Sequence, residues 1–175
     1  VPVAAAPHGA EERGQQDGAG RRRVVFLDVD GVLNRLGSKA ESVEGELVDL
    51  FCAIVRSTGA LIVLSSSWRV HKKLVDKLAQ TFFLAGVSDR MESTSISEWD
   101  VAEGKRDYSE SVVDERCREI RTWLTDNPSR VETWIAIDDL PLSTADPFFA
   151  GHHIWTDARE GLTTAHVTQA CSVLG

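Results

Sequence analysis

An α/β fold, with a mainly parallel Rossmann-like sheet sandwiched between two layers of helices, is what this sequence predicts, on three observations. Short apolar runs at residues 24–27, 60–64 and 131–137 are too brief for helices and read as buried strands. Stretches with helical hydrophobic spacing separate them. Each run ends in carboxylates or hydroxyls: Asp28 with Asp30, Ser65, and Asp138 with Asp139. Strands alternating with helices imply a parallel sheet covered on both faces.

In chain order, residues 1–22 are rich in Ala, Gly, Gln, Pro and charge without a hydrophobic period. They read as a disordered leader or linker, with residues 23–175 as the folded domain. Arg21-Arg22-Arg23 is read as a solvated flank of the first strand rather than a localisation or anion-binding patch. After a polar loop, Leu47, Leu50, Phe51, Ile54 and Val55 mark one face of a helix over 46–57, and Gly59 supplies its stop. The strand at 60–64 runs into Ser65-Ser66-Ser67. One helix is then expected over 68–82, with Leu74, Val75, Leu78 and Phe82 inward and a serine as N-cap. A short strand is expected near 83–87, followed by a polar loop. Val113, Cys117, Ile120 and Leu124 mark a helix over 110–125, and a last strand at 152–156 and a closing helix at 163–174 follow the strand at 131–137.

A chain of 175 residues, 42% apolar and 26% charged, suits one soluble domain with a packed core. No apolar run nears the roughly 18 residues that cross a bilayer, and the first residues lack the features of a secretory signal. No membrane partner is expected. Cys52, Cys117 and Cys171 are odd in number and widely spaced, which suggests neither a zinc site nor a disulfide framework. They read as thiols of a reducing compartment, cytoplasm or nucleus. The net charge is −8, and the arginine-bearing first 23 residues contribute +1 of it, so the folded part is more acidic still. That is the opposite of a general nucleic-acid binder's footprint, although a small local patch would suffice for a nucleic-acid substrate.

In a parallel sheet the strand ends share one rim, so Asp28, Asp30, Asp138, Asp139 and Ser65 converge there. Asp28 and Asp30, two apart on an extended backbone, point to the same side. Four uncompensated carboxylates repel one another, and a hard cation is the natural remedy. An all-oxygen set with no nearby His or Cys suits magnesium better than zinc. A calcium loop counted from Asp28 is disfavoured, because Leu33 stands where its glycine belongs and Lys39 where its glutamate belongs.

The apolar strand with Asp28-Val29-Asp30-Gly31, the strand-terminal Ser65 and the strand-terminal Asp138-Asp139 together resemble the haloacid dehalogenase (HAD) superfamily of phosphohydrolases, over residues 24–174. Residues 26–34 (FLDVDGVLN), 64–69 (LSSSWR) and 134–139 (WIAIDD) are similar to the HAD domain of the Swiss Army Knife RNA-repair type. The resemblance implies a phosphoaspartyl mechanism: Asp28 attacks phosphorus, while Asp30 protonates the leaving oxygen and later activates water. It implies Mg2+ held by Asp28, the backbone carbonyl of Asp30, Asp138 and Asp139, with Ser65 on the phosphoryl group and Ser66 beside it.

The family also needs a basic residue, usually lysine, and this sequence departs there. Arg116, three residues after Val113 and four before Ile120, shares their inward face, whereas Arg118 falls on the solvent side. Arg116 is therefore expected to grip the phosphate, with the pair Lys105-Arg106 in reserve. Arg69 is open between binding phosphate and making a structural ion pair. His152 and His153, adjacent on a strand, point to opposite faces and read as structural. Trp68, Trp99, Trp123, Trp134 and Trp155 either pack or offer stacking surface to a base.

By the same resemblance, neither the interval 31–60 nor the interval 69–116 holds a folded cap, so the site is expected to be open. An RNA or DNA end, a phosphoprotein or a small phosphoester all fit such a site. A binding-only regulatory domain and a fragment of a larger RNA-repair enzyme stand as alternatives, the former disfavoured by an intact Asp30.

Overall fold

The computed structural model of the chain describes residues 20–87, 91–95 and 111–175. Within them β1 (Arg22–Leu27), β2 (Leu61–Leu64), β3 (Met91–Ser93), β4 (Val131–Asp138) and β5 (His153–Trp155) form one parallel sheet in the order β3-β2-β1-β4-β5. Helices α1 (Gly45–Thr58), α2 (Lys72–Leu84), α3 (Val112–Asp126), the short α4 (Leu142–Ala145) and α5 (Thr164–Leu174) cover it. The expected three-layer sandwich is the observed one. The leader up to residue 19, Trp99 and the pair Lys105-Arg106 lie outside the described residues.

The pleat of the central strands divides their side chains between two cores. Val25, Leu27, Ile62, Leu64, Ile135 and Ile137 pack with α1, α2 and α5. Val24, Phe26, Leu61, Val63, Trp134 and Ala136 pack with α3 and α4. Because β1 is covered on both faces, its run 24–27 is apolar throughout instead of alternating. Phe26 meets Trp123 edge-on at 5.4 Å and Trp134 at 6.0 Å, which ties α3 to the sheet.

Helix ends follow local chemistry. Gly59, at φ 66°, closes α1 by donating to Val55 O, and Arg23 donates to Thr58 O at 3.0 Å, so this arginine of the basic run also caps a helix. Thr163 and His166 form a reciprocal cap on α5.

Two expectations are corrected. The helix expected over 68–82 is split into a 3-10 turn, Ser67–Val70, and α2, with His71 extended at φ −112°, ψ 99° between them. Local and distant side-chain bonds hold the break: Ser66 Oγ accepts from Trp68 N and Arg69 turns back to Ser66 O, while the Trp68 indole reaches Asp30 and Arg69 pairs with Glu119. The strand expected at 83–87 is instead the exposed end of α2 and a turn at Gly86, and the sheet edge is taken by Met91–Ser93, too short and polar to show a pattern. The short helix α4 and the 3-10 turn Pro147–Phe149 span about one helical turn each, too short to show a hydrophobic period, and left no sequence signal.

From β1 the chain moves outward to β2 on one side and returns to β4 on the other, which opens a crevice at the carboxyl ends of β1 and β4. The interval 31–60 holds only turns and α1, so no cap is inserted there. Among the described residues no helix is long and apolar enough to cross a membrane.

Phe26→Ala should cost about 3–5 kcal/mol of stability in urea denaturation, because it removes a fully buried ring and its two edge contacts. A loss below about 1 kcal/mol would mean that α3 does not depend on this contact.

Candidate active site

Ladder hydrogen bonds continue one residue past the strand ends and set a row of polar residues side by side. Thr94 N donates to Leu64 O at 3.0 Å, Ser65 N to Leu27 O at 2.8 Å, Asp28 N to Ile137 O at 3.0 Å and Thr156 N to Asp138 O at 3.1 Å. The rim therefore reads Thr94, Ser65, Asp28, Asp138, with Trp155 in register beside Asp138 and Thr156 one residue further on. Asp28 and Asp138 share the parity of Phe26 and Ala136 and so project toward α3.

From α3, Arg116 meets them. Its Nη1 lies 2.5 Å from Asp138 Oδ2 and 3.4 Å from Asp28 Oδ1. Arg118 is exposed, as its helical position predicts. Three residues after Arg116, Glu119 is buried, 4.0 Å from Arg116 Nε and paired through its other oxygen with Arg69 Nη2. Arg69 also donates to Ser66 O at 2.9 Å. These contacts make Arg69 part of the buried ion-pair network beside Arg116.

Carboxylate oxygens of Asp28, Asp138 and Asp139 lie within 4.8 Å of one another, a set of hard donors that fits a divalent cation. Burial raises the pKa of Asp28, opposed by Arg116, the Val29 backbone N–H and the Ser66 hydroxyl, and reinforced by Asp30. Burial and then Asp28 push Asp138 up to about 8, against Arg116 and the Leu140 N–H. Asp139, half-buried, is raised by the same two causes. All three titrate late because their shared site is short of positive charge.

The Asp30 carboxylate stands outside this cluster, which leaves its backbone carbonyl as its expected contribution to a metal. It is exposed and held on both oxygens: Trp68 Nε1 donates to Oδ2 at 3.0 Å and Asn34 Nδ2 to Oδ1 at 2.7 Å. Asn34 also accepts from Gly31 N at 3.1 Å and donates to Ser42 O at 3.0 Å, so one buried carboxamide fixes the whole turn. At Gly31, φ 76°, an added Cβ would stand 2.5 Å from Asp139 Oδ2. Glycine there lets the two acidic motifs touch.

Ser65 Oγ is buried and has no partner, at the position beside Asp28. A buried hydroxyl left unpaired costs about 1–3 kcal/mol, so this oxygen is available to a ligand. Ser66 caps the 3-10 turn while facing Asp28. His152 and His153 serve packing: His152 stacks on Trp134 at 4.3 Å, and His153 Nδ1 lies 3.1 Å from Ser143 Oγ. Sequence reasoning missed Glu119, Trp68 and Asn34 as supports of the site. Glu119, a charge beside Ile120 on the buried side of α3, was the one with a visible signal.

A family described as the HAD domain in Swiss Army Knife RNA repair proteins matches residues 24–167, from β1 into the first turn of α5. No curated protein and no solved structure matches the chain at a significant level.

Two measurements check this geometry. Gly31→Ala should destabilise the fold by about 1–3 kcal/mol in urea denaturation, since its Cβ strains φ and collides with Asp139. An Ala variant as stable as wild type would show that Gly31 and Asp139 are not in contact. The second concerns pH. A carboxyl whose pKa is raised on folding binds its proton more tightly in the native state, so stability is lost as pH rises toward the folded value. His153 and His166, lowered mainly by burial, act in the opposite sense only at and below their ordinary range. From pH 6.5 to 8 the melting temperature without divalent cation should therefore fall by at least about 2 °C, and magnesium should flatten the slope. A rising melting temperature over that window would contradict the assigned protonation.

Proposed function

The chain belongs to the HAD domain family of the Swiss Army Knife RNA repair proteins, and on that premise we propose that it is a magnesium-dependent phosphomonoesterase working through a phosphoaspartyl intermediate on Asp28. The observation that carries this reading is the setting of Asp28: buried, flanked by the unpartnered Ser65 hydroxyl and by Arg116, and clustered with Asp138 and Asp139.

In the first half-reaction an ionised Asp28 oxygen bonds to phosphorus as the ester P–O bond breaks, and Asp30 gives its proton to the departing oxygen. In the second, a water oxygen attacks phosphorus, its proton passes to Asp30, and the bond from phosphorus to Asp28 breaks to release inorganic phosphate. Arg116 favours the ionised form of Asp28 against burial, and its fork can receive a phosphoryl oxygen. Ser65 Oγ donates to another. Trp68 and Asn34 hold Asp30 at the solvent edge, where water and the leaving group enter.

Asp28, Asp138, Asp139 and the carbonyl of Asp30 would hold magnesium, which when bound supplies the positive charge that lets an anionic carboxylate approach a phosphate. The RNA-repair description of the family supports a phosphate at a polynucleotide end as the substrate class.

Phosphate release from an aryl phosphate should require magnesium and stop with EDTA. Asp28→Asn should abolish it, and turnover that survives this change sinks the covalent mechanism. Asp30→Asn should lower kcat by about 10²–10⁴-fold while leaving beryllofluoride binding at Asp28 intact. Phosphorylated RNA ends should be preferred over phosphopeptides, and the reverse order would reject the substrate class.

A further inference from the structure

Trp155 is 52% exposed although tryptophan is usually well buried. It ends β5 in register with Asp138, so the two side chains are cross-strand neighbours on the face of the sheet that Asp28 also uses. Its indole N–H donates to Asp139 O at 2.9 Å, which fixes the ring beside the acidic cluster. His153, two residues earlier on the same face, lies under the ring at 6.0 Å with an interplanar angle of 23°. One side of the indole is thus backed by His153, while the residue stays half-exposed at the strand ends. A ring held by its polar edge and left bare on its outer face is a stacking platform rather than a packing residue.

Distance selects what stacks there. Trp155 stands two strands from Asp28, about 10 Å at ordinary strand spacing. A ring bonded directly to the phosphate oxygen, as in a phosphotyrosine, stays close to Asp28. A nucleobase, set off from its phosphate by the ribose, reaches across Asp138. Among the described residues, Arg35 is paired with Glu44 and Glu46, Arg69 with Glu119, and Arg116 with Asp138, so these three do not form a track for a polyanion.

We propose that the outer face of Trp155 is a nucleobase subsite, which stacks the base of a nucleotide whose phosphate lies at Asp28. The proposal rests on the phosphatase reading for the position of the phosphate.

The test uses the full chain with magnesium and compares adenosine 5′- and 3′-monophosphate, ribose 5-phosphate and O-phosphotyrosine in wild type, Trp155→Ala and Trp155→Phe. Wild type should prefer at least one nucleotide over ribose 5-phosphate. The ratio of their kcat/KM values should fall roughly 10-fold in Trp155→Ala, through KM, and persist in Trp155→Phe, which keeps a ring but not the N–H. Equal losses on nucleotide and ribose 5-phosphate would overturn the subsite and leave Trp155 as a support for Asp139. A Trp155-dependent preference for O-phosphotyrosine would overturn the ligand class. If wild type hydrolyses none of them, the phosphatase reading fails, and titration calorimetry still decides the subsite. Tighter binding of adenosine monophosphate than of ribose 5-phosphate, weakened roughly 10-fold by Trp155→Ala, supports it; equal binding of the two overturns it.

Discussion

Two carboxylates buried side by side at the centre of a sheet are the constraint on which the rest of this structure depends. Asp28 and Asp138 end adjacent strands and are 6% and 1% exposed; burial raises the pKa of both, and Asp28 raises that of Asp138 further. In a low-dielectric setting such a pair must be compensated. Arg116 supplies one charge from α3, and Glu119 and Arg69 form a buried ion-pair network beside that arginine. One fixed cation among three clustered carboxylates leaves room for a second, which connects a folding problem to the proposed metal chemistry.

The turn after β1 solves a different problem. Its acid must sit at the solvent edge while its neighbour Asp28 stays buried, and extended backbone alone would send both the same way. Gly31 turns the chain at positive φ, and Asn34 ties the turn to itself and to Ser42. Asp30 then lies between the Trp68 and Asn34 donors, apart from the metal-competent cluster. The same turn is tied from the far side, because Thr156 donates to Gly31 O at 2.9 Å and Trp155 to Asp139 O. The start of β5's loop is thereby linked to the nucleophile's own turn, so the proposed base subsite and the proposed phosphate site share one rigid rim.

The fold was legible because its signals are local and repeated. Runs such as 24–27 and 131–137 could only be buried strands, and the stripes of α1 and α3 could only be amphipathic helices. Asp28, Asp138 and Asp139 were legible for the same reason, since strand order in a parallel sheet gathers strand ends. The split at His71 and the displaced edge strand Met91–Ser93 were not legible, because side-chain bonds to distant residues override propensity at the first and no pattern survives in three residues at the second.

By itself the sequence determined the α/β layering, the acidic rim and, through helical phase, the inward aim of Arg116. Periodicity and strand polarity are properties of the chain, so they can be read from it. Only the tertiary structure decided that Arg69 serves Glu119, that Asp30 is clamped by Trp68 and Asn34, that the Ser65 hydroxyl is left open, and that Trp155 is bare at the rim. Each of these depends on which side chains meet across tens of residues of intervening chain, and that is settled by packing two helical layers onto one sheet.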